Sequence, residues 1–74
     1  MKVTFPIVIG GGDAEVTMDI TKKEYNKLMR SEEDRLEDVD EELYERVVEE
    51  FRDQQEEFGI DIDDYDFAVL LPRE

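Results

Sequence analysis

Residues 2 to 9 alternate, with Val3, Phe5, Ile7 and Ile9 on one side and Thr4, Pro6 and Val8 on the other, the period of two expected of a half-buried strand. Proline has no N–H for a ladder, so Pro6 predicts either a free edge at that point or a bulge. The run Gly10-Gly11-Gly12-Asp13-Ala14 then separates this segment from a second alternation, Val16, Met18 and Ile20 against Glu15, Thr17 and Asp19. Glycine takes the positive backbone angles that a tight antiparallel reversal requires, so the pair reads as a hairpin.

The period changes after Ile20. Thr21-Lys22-Lys23-Glu24 has the spacing of a capping box and predicts a helix starting at Lys22, with Tyr25, Leu28 and Met29 as one apolar stripe. A second helix is predicted from Asp40, its cap, to Phe58, with Gly59 ending it. At about 100° per residue, Leu43, Tyr44, Val47, Val48, Phe51 and Phe58 gather within about 140° of arc, and the acids take the remainder. Residues 31 to 39 contain no glycine or proline, yet one helix from 22 to 58 would run about 55 Å, far beyond a strand of about 20 Å. Two helices joined between Arg30 and Asp40 are therefore expected, with Leu36 and Val39 as minor core contacts. Phe67 to Leu71 completes the chain as a third strand closed by Pro72.

These elements predict a single α+β domain over residues 1 to 74, in the order ββααβ: a three-stranded, mainly antiparallel sheet with two helices packed on one face. Two helices returning the chain to the end it left would set the last strand antiparallel to the second. Strand orders 3-1-2 and 1-2-3 both satisfy the pattern.

Charge alters this picture more than any motif. The 74 residues carry 23 Asp and Glu against 9 Lys and Arg, a net charge of −14. Residues 32 to 66 hold 18 of the acids and only Arg35, Arg46 and Arg52, a net of −15, while Lys22, Lys23, Lys27 and Arg30 make residues 21 to 30 locally positive. So acidic a chain repels itself, but the ordered apolar pattern argues for folding over disorder. Within the second helix, Glu41, Glu45, Glu49, Asp53 and Glu57 recur at every fourth position down one face, with Glu42, Glu50 and Glu56 beside them. Like charges at this spacing destabilise a helix by about 0.2–0.5 kcal/mol per pair. A face that only needs solvating is served better by alternating signs.

Catalytic chemistry is poorly provisioned. Histidine and cysteine are absent, and Ser31, Thr4, Thr17 and Thr21 have no recognisable base beside them. A carboxylate pair alone would need a cleft that so small a domain hardly encloses, so no enzyme and no cofactor are expected. The glycine run leads through Asp13 and Glu15 into a strand, not a helix, which removes the phosphate-loop reading. Asp61, Asp63, Asp64 and Asp66 supply oxygens of the kind calcium prefers, but Tyr65 and Asp66 occupy the positions where a calcium loop needs a fifth ligand and a glycine. A weak calcium-binding module is the residual metal reading.

The absence of cysteine suits a reducing cytoplasm. The N-terminus, with one lysine and an apolar run broken by Pro6, does not read as a secretory leader, and an acidic surface is repelled by anionic lipid. The expected function is accordingly a non-catalytic interaction or regulatory protein that offers Glu41, Glu45, Glu49, Asp53 and Glu57 to a basic protein surface. It would bind neither nucleic acid nor membrane. The alternative is a DNA-mimic inhibitor of a nucleic-acid-binding protein, because 14 net charges over a breadth near 30 Å approach the charge density of a duplex. A further expectation concerns the outer sheet face, where Val8, Ala68 and Leu70 would form a partly apolar patch. There, or at a free strand edge, the domain would form a homodimer or capture a partner strand.

Overall fold

A computed structural model describes residues 1 to 72. Strand β1 (Lys2–Ile9) and strand β2 (Gly12–Asp19) form the hairpin, helix α1 (Lys22–Arg30) and helix α2 (Glu41–Glu56) follow, and strand β3 (Phe67–Val69) ends the sheet. The strand order is β2-β1-β3, with both neighbours antiparallel to the central β1. This is the α+β architecture the sequence predicts, in the 3-1-2 order.

Gly10 and Gly11 both have positive φ, 53° and 82°, the backbone of a two-residue hairpin turn. The register then runs unbroken from Ile9↔Gly12 to Lys2↔Asp19, so β1 carries no bulge. Pro6 instead marks where the second ladder stops. β3 pairs with β1 only over Ile7–Val69, Val8–Ala68 and Ile9–Phe67. Leu70 N–H still donates to Pro6 O at 2.8 Å, but proline cannot return a bond, so the expected strand 67 to 71 shortens to Phe67–Val69. Leu70 and Leu71 turn to the linker between the helices, through an Arg35–Leu70 bridge and a 3.1 Å bond from Leu71 N–H to Asp34 O.

The direction of β3 corrects an expectation, since two strands antiparallel to the same neighbour run parallel to each other, and β3 therefore points the same way as β2. Only α2 makes the return journey. Its 16 residues span about 24 Å, matching the eight-residue strands, whereas the nine-residue α1 stays at the end where β2 finishes and buries only Leu28.

The capping box forms as predicted: Thr21 Oγ1 accepts from Glu24 N–H at 3.1 Å and Glu24 Oε1 accepts from Thr21 N–H at 2.8 Å. α1 ends at Ser31, whose Oγ takes the Glu33 N–H at 3.0 Å and so offers the backbone a turn in place of another helical residue. A 3-10 turn (Leu36–Asp38) bridges to α2, and Leu36, expected as a minor contact, is 0% exposed. Asp40 Oδ1 caps α2 by accepting Leu43 N–H at 3.1 Å.

Val3, Phe5 and Ile7 of β1 meet Leu43, Val47 and Phe51 of α2 in one core, with Val16, Ile20, Ile62, Val69 and Leu71 around them. The Phe51 and Phe67 rings are 6.3 Å apart and tilted by 56°. Two members of the predicted stripes miss this core. Met29, on the last turn of α1, is 42% exposed and lines a cleft with Met1, Lys2, Val3 and Thr4 at the start of β1. Phe58 is 76% exposed. Phe58 and Gly59 donate to Gln55 O and Glu56 O, bonds of the tighter 3-10 kind that rotate Phe58 out of helical phase.

Candidate functional site

The acidic row of α2 begins at a helix whose inner half is fixed by Leu43, Val47 and Phe51. Burial of those three orients the rest. Glu41, Glu45, Glu49, Asp53 and Glu57 are all exposed, as are Glu42, Glu50 and Glu56. Each step of four residues advances by about 40°, so the five do not form a straight line. They sweep obliquely across the half of the helix that faces away from the core.

Neutralisation is the decisive question for such a surface. Helix α2 contains two arginines, and both reach elsewhere: Arg46 Nη1 lies 2.9 Å from Glu24 Oε2 on α1, and Arg52 Nη2 lies 2.9 Å from Asp63 Oδ1 in the 3-10 turn Ile62–Asp64. Lys27 pairs with the cap residue Asp40 at 3.7 Å and Arg35 with Glu37 at 3.6 Å. Among the described residues none of the eight exposed acids of this helix face forms an ion pair. Glu56 and Glu57 also stand at the C-terminal end, where the helix dipole disfavours negative charge and no basic residue compensates it.

The positive segment sits at the opposite end of the helix pair. Lys22, Lys23, Lys27 and Arg30 of α1 line a shallow open cleft together with Asp40 and Glu42 at the start of α2. The bases of α1 thus gather beside the first turn of α2.

On the outer sheet face Val8 of β1 lies beside Ala68 of β3, with Leu70 next along the chain. Val8 is 41% exposed and registers with Ala68, and Ala68 and Leu70 are half-buried. The patch is narrow. Across β2 its neighbours are Asp13 opposite Val8 and Glu15 opposite Pro6, followed by a 2.8 Å hydroxyl hydrogen bond between Thr4 and Thr17.

The aspartate cluster is engaged locally. Asp61 Oδ1 accepts the Asp63 N–H at 3.0 Å, and Asp63 is held by Arg52. No group of three or more carboxylates converges to hold a metal ion among the described residues. Tyr44, half-buried on α2, has its phenol pushed above the ordinary value of 10.0 by burial and then by Glu37, with Arg35 opposing.

Sequence reasoning missed the outer strip of β2. Asp13, Glu15, Thr17 and Asp19 are exposed along a strand that no other strand covers. Their alternation was visible in the sequence, but whether β2 lies at an edge depends on where β3 docks. No helix among the described residues is long and apolar enough to cross a membrane. No family model, no curated protein and no solved structure matches the chain.

Proposed function

We propose that this α+β domain is a non-catalytic interaction protein of the cytoplasm that binds a basic surface on a protein partner through the outer half of α2. One observation carries the reading: Glu41, Glu45, Glu49, Asp53 and Glu57 are exposed and unpaired among the described residues, while the arginines on the same helix pair with acids of other elements. A helix shaped only for stability would alternate the signs at these fourfold spacings.

An open carboxylate row acts first on encounter. It raises the association rate of a basic partner and makes binding steeply sensitive to salt, because exposed charges are screened within about 8 Å at physiological ionic strength. The test is a partner captured at low salt and then titrated against the variant Glu45→Lys/Glu49→Lys/Asp53→Lys. Roughly a hundredfold or greater loss is expected, most of it in the association rate. Unchanged affinity refutes the assignment.

Charge spacing favours a second reading, the DNA mimic. Eight acids from Glu41 to Glu57 are spread over about 25 Å of helix, one per about 3 Å, close to the 3.4 Å per phosphate along one strand of a duplex. If the partner is itself a nucleic-acid-binding protein, duplex DNA competes for it. A partner indifferent to added DNA rules the mimic out and leaves the first reading standing.

A further inference from the structure

The hydrogen-bond parity of the hairpin determines which backbone groups are free. Met1 and Ile20 exchange both bonds, the terminal ammonium to Ile20 O and Ile20 N–H to Met1 O, each 2.9 Å. Doubly bonded pairs recur at every second position of an antiparallel ladder, so Val3–Met18, Phe5–Val16, Ile7–Ala14 and Ile9–Gly12 share this type. The N–H and C=O groups of Asp13, Glu15, Thr17 and Asp19 therefore point away from β1, along the outer edge of the sheet.

That edge is long and unprotected. β2 is an eight-residue strand with no proline, no lysine and no bulge, the devices that usually blunt a free edge. The opposite side of the sheet differs: β3 is three residues long and its continuation is covered by the Asp34–Arg35 segment.

The side chains select what can pair there. Asp13, Glu15 and Asp19 stand on the outer face of the edge, and beneath it a cleft of about 240 Å³ is lined by Met18 and the α2 residues Arg46, Glu49, Glu50 and Asp53. A second copy of this chain would bring like charges together across the new ladder, which is destabilising. A strand bearing lysine or arginine on its outward face would meet the carboxylates of Asp13, Glu15 and Asp19.

We propose that the free edge of β2 receives an extended basic segment of the partner as a fourth strand, its outward lysines or arginines facing Asp13, Glu15 and Asp19 and its inward side chains covering Met18. This inference rests on the reading that the partner is basic, and adds the mode of docking. Main-chain bonds supply affinity, and the alternation of acids supplies selection.

The probe is a ten-residue peptide of alternating lysine and valine, compared with a peptide of the same composition in two blocks, and with an alternating peptide N-methylated on every second amide. Expected are slowed hydrogen exchange at the amides of Asp13, Glu15, Thr17 and Asp19 with the alternating peptide, roughly fivefold weaker binding in Thr17→Pro from the loss of one ladder bond, and a loss of roughly tenfold or more after N-methylation, which removes several. N-methylation keeps the test valid should Thr17→Pro fail to fold. Equal, salt-sensitive binding of all three peptides without protection of these amides overturns strand addition and leaves the acidic-helix reading intact. Failure of every lysine peptide to bind at low salt overturns both. Protection of the same amides in the protein alone, rising with concentration, assigns the edge to a second copy and also overturns the proposal.

Discussion

Replacing Glu45→Gln, Glu49→Gln and Asp53→Asn together should stabilise the domain, because these three residues take part in all four successive like-charge pairs between Glu41 and Glu57. At about 0.2–0.5 kcal/mol per pair the row forgoes about 1–2 kcal/mol. Unfolding entropy of about 2.1 cal/mol/K per residue amounts to about 155 cal/mol/K for 74 residues, so each kcal/mol moves Tm by about 6 °C. A rise of about 5–12 °C is expected at low ionic strength. Thermal unfolding followed by circular dichroism reads it directly. Net charge also falls, and that alone reduces self-repulsion. The proper control is therefore Glu32→Gln, Glu33→Gln and Asp38→Asn, three exposed acids outside the row. In 1 M salt the Debye length shrinks to about 3 Å, less than the spacing of neighbouring carboxylates, and the advantage of the row variant should collapse. A gain no larger than the control's, or one that survives in 1 M salt, refutes the view that α2 carries uncompensated repulsion.

Leu36→Ala should destabilise the domain by about 2–5 kcal/mol, the range for a large-to-small change at a buried site, although the residue lies in the linker between helices; a loss below 1 kcal/mol in urea titration would show that the 3-10 turn is peripheral. Ala at Gly10 or at Gly11 should lose about 1–2 kcal/mol from left-handed backbone, with Gly10→Ala the worse, since its Cβ would stand 3.1 Å from Tyr65 Cδ1 while that of Gly11 meets open space. The reverse order in thermal melts contradicts the turn geometry. Because the Tyr44 phenol titrates above 10.0 in the folded chain, the native state holds its proton more tightly than the unfolded one, so this contribution is complete below about pH 10 and is lost as pH rises through the folded value. Tyr44→Phe should flatten that alkaline decline, and an unchanged pH profile means the phenol is not the group responsible.

Local chemistry was the legible part of the sequence. The Thr21–Glu24 capping box, the Asp40 cap and the glycine hairpin each involve partners within a few residues, so spacing alone specifies them. The break at Ser31 was legible only as a need, from the impossible length of a single helix. Its position rests on one side-chain bond to Glu33, which competes weakly with many others in that segment. Met29 and Phe58 obey the helical period and still lie outside the core, because a period fixes phase and not how tightly the last turn winds or how deeply it packs. The direction of β3 was misjudged because counting helices as equal crossings ignores their lengths.

On the proposed reading the acids serve two different ends at the two places where they gather. On α2 the two arginines pair with Glu24 and Asp63, so among the described residues neither forms an ion pair with the row. On β2 the same sign of charge does a second task, because an eight-residue bare edge in a neutral or basic protein would invite self-pairing. Asp13, Glu15 and Asp19 make the homotypic ladder unfavourable without closing the edge to a strand of opposite charge. The acidic helix face and the open edge meet at the cleft lined by Met18, Arg46, Glu49, Glu50 and Asp53. A basic strand seated on β2 would set its outward lysines against Asp13, Glu15 and Asp19 and lay its inward side chains over Met18, so that a single partner segment would complete the sheet beside the acidic helix.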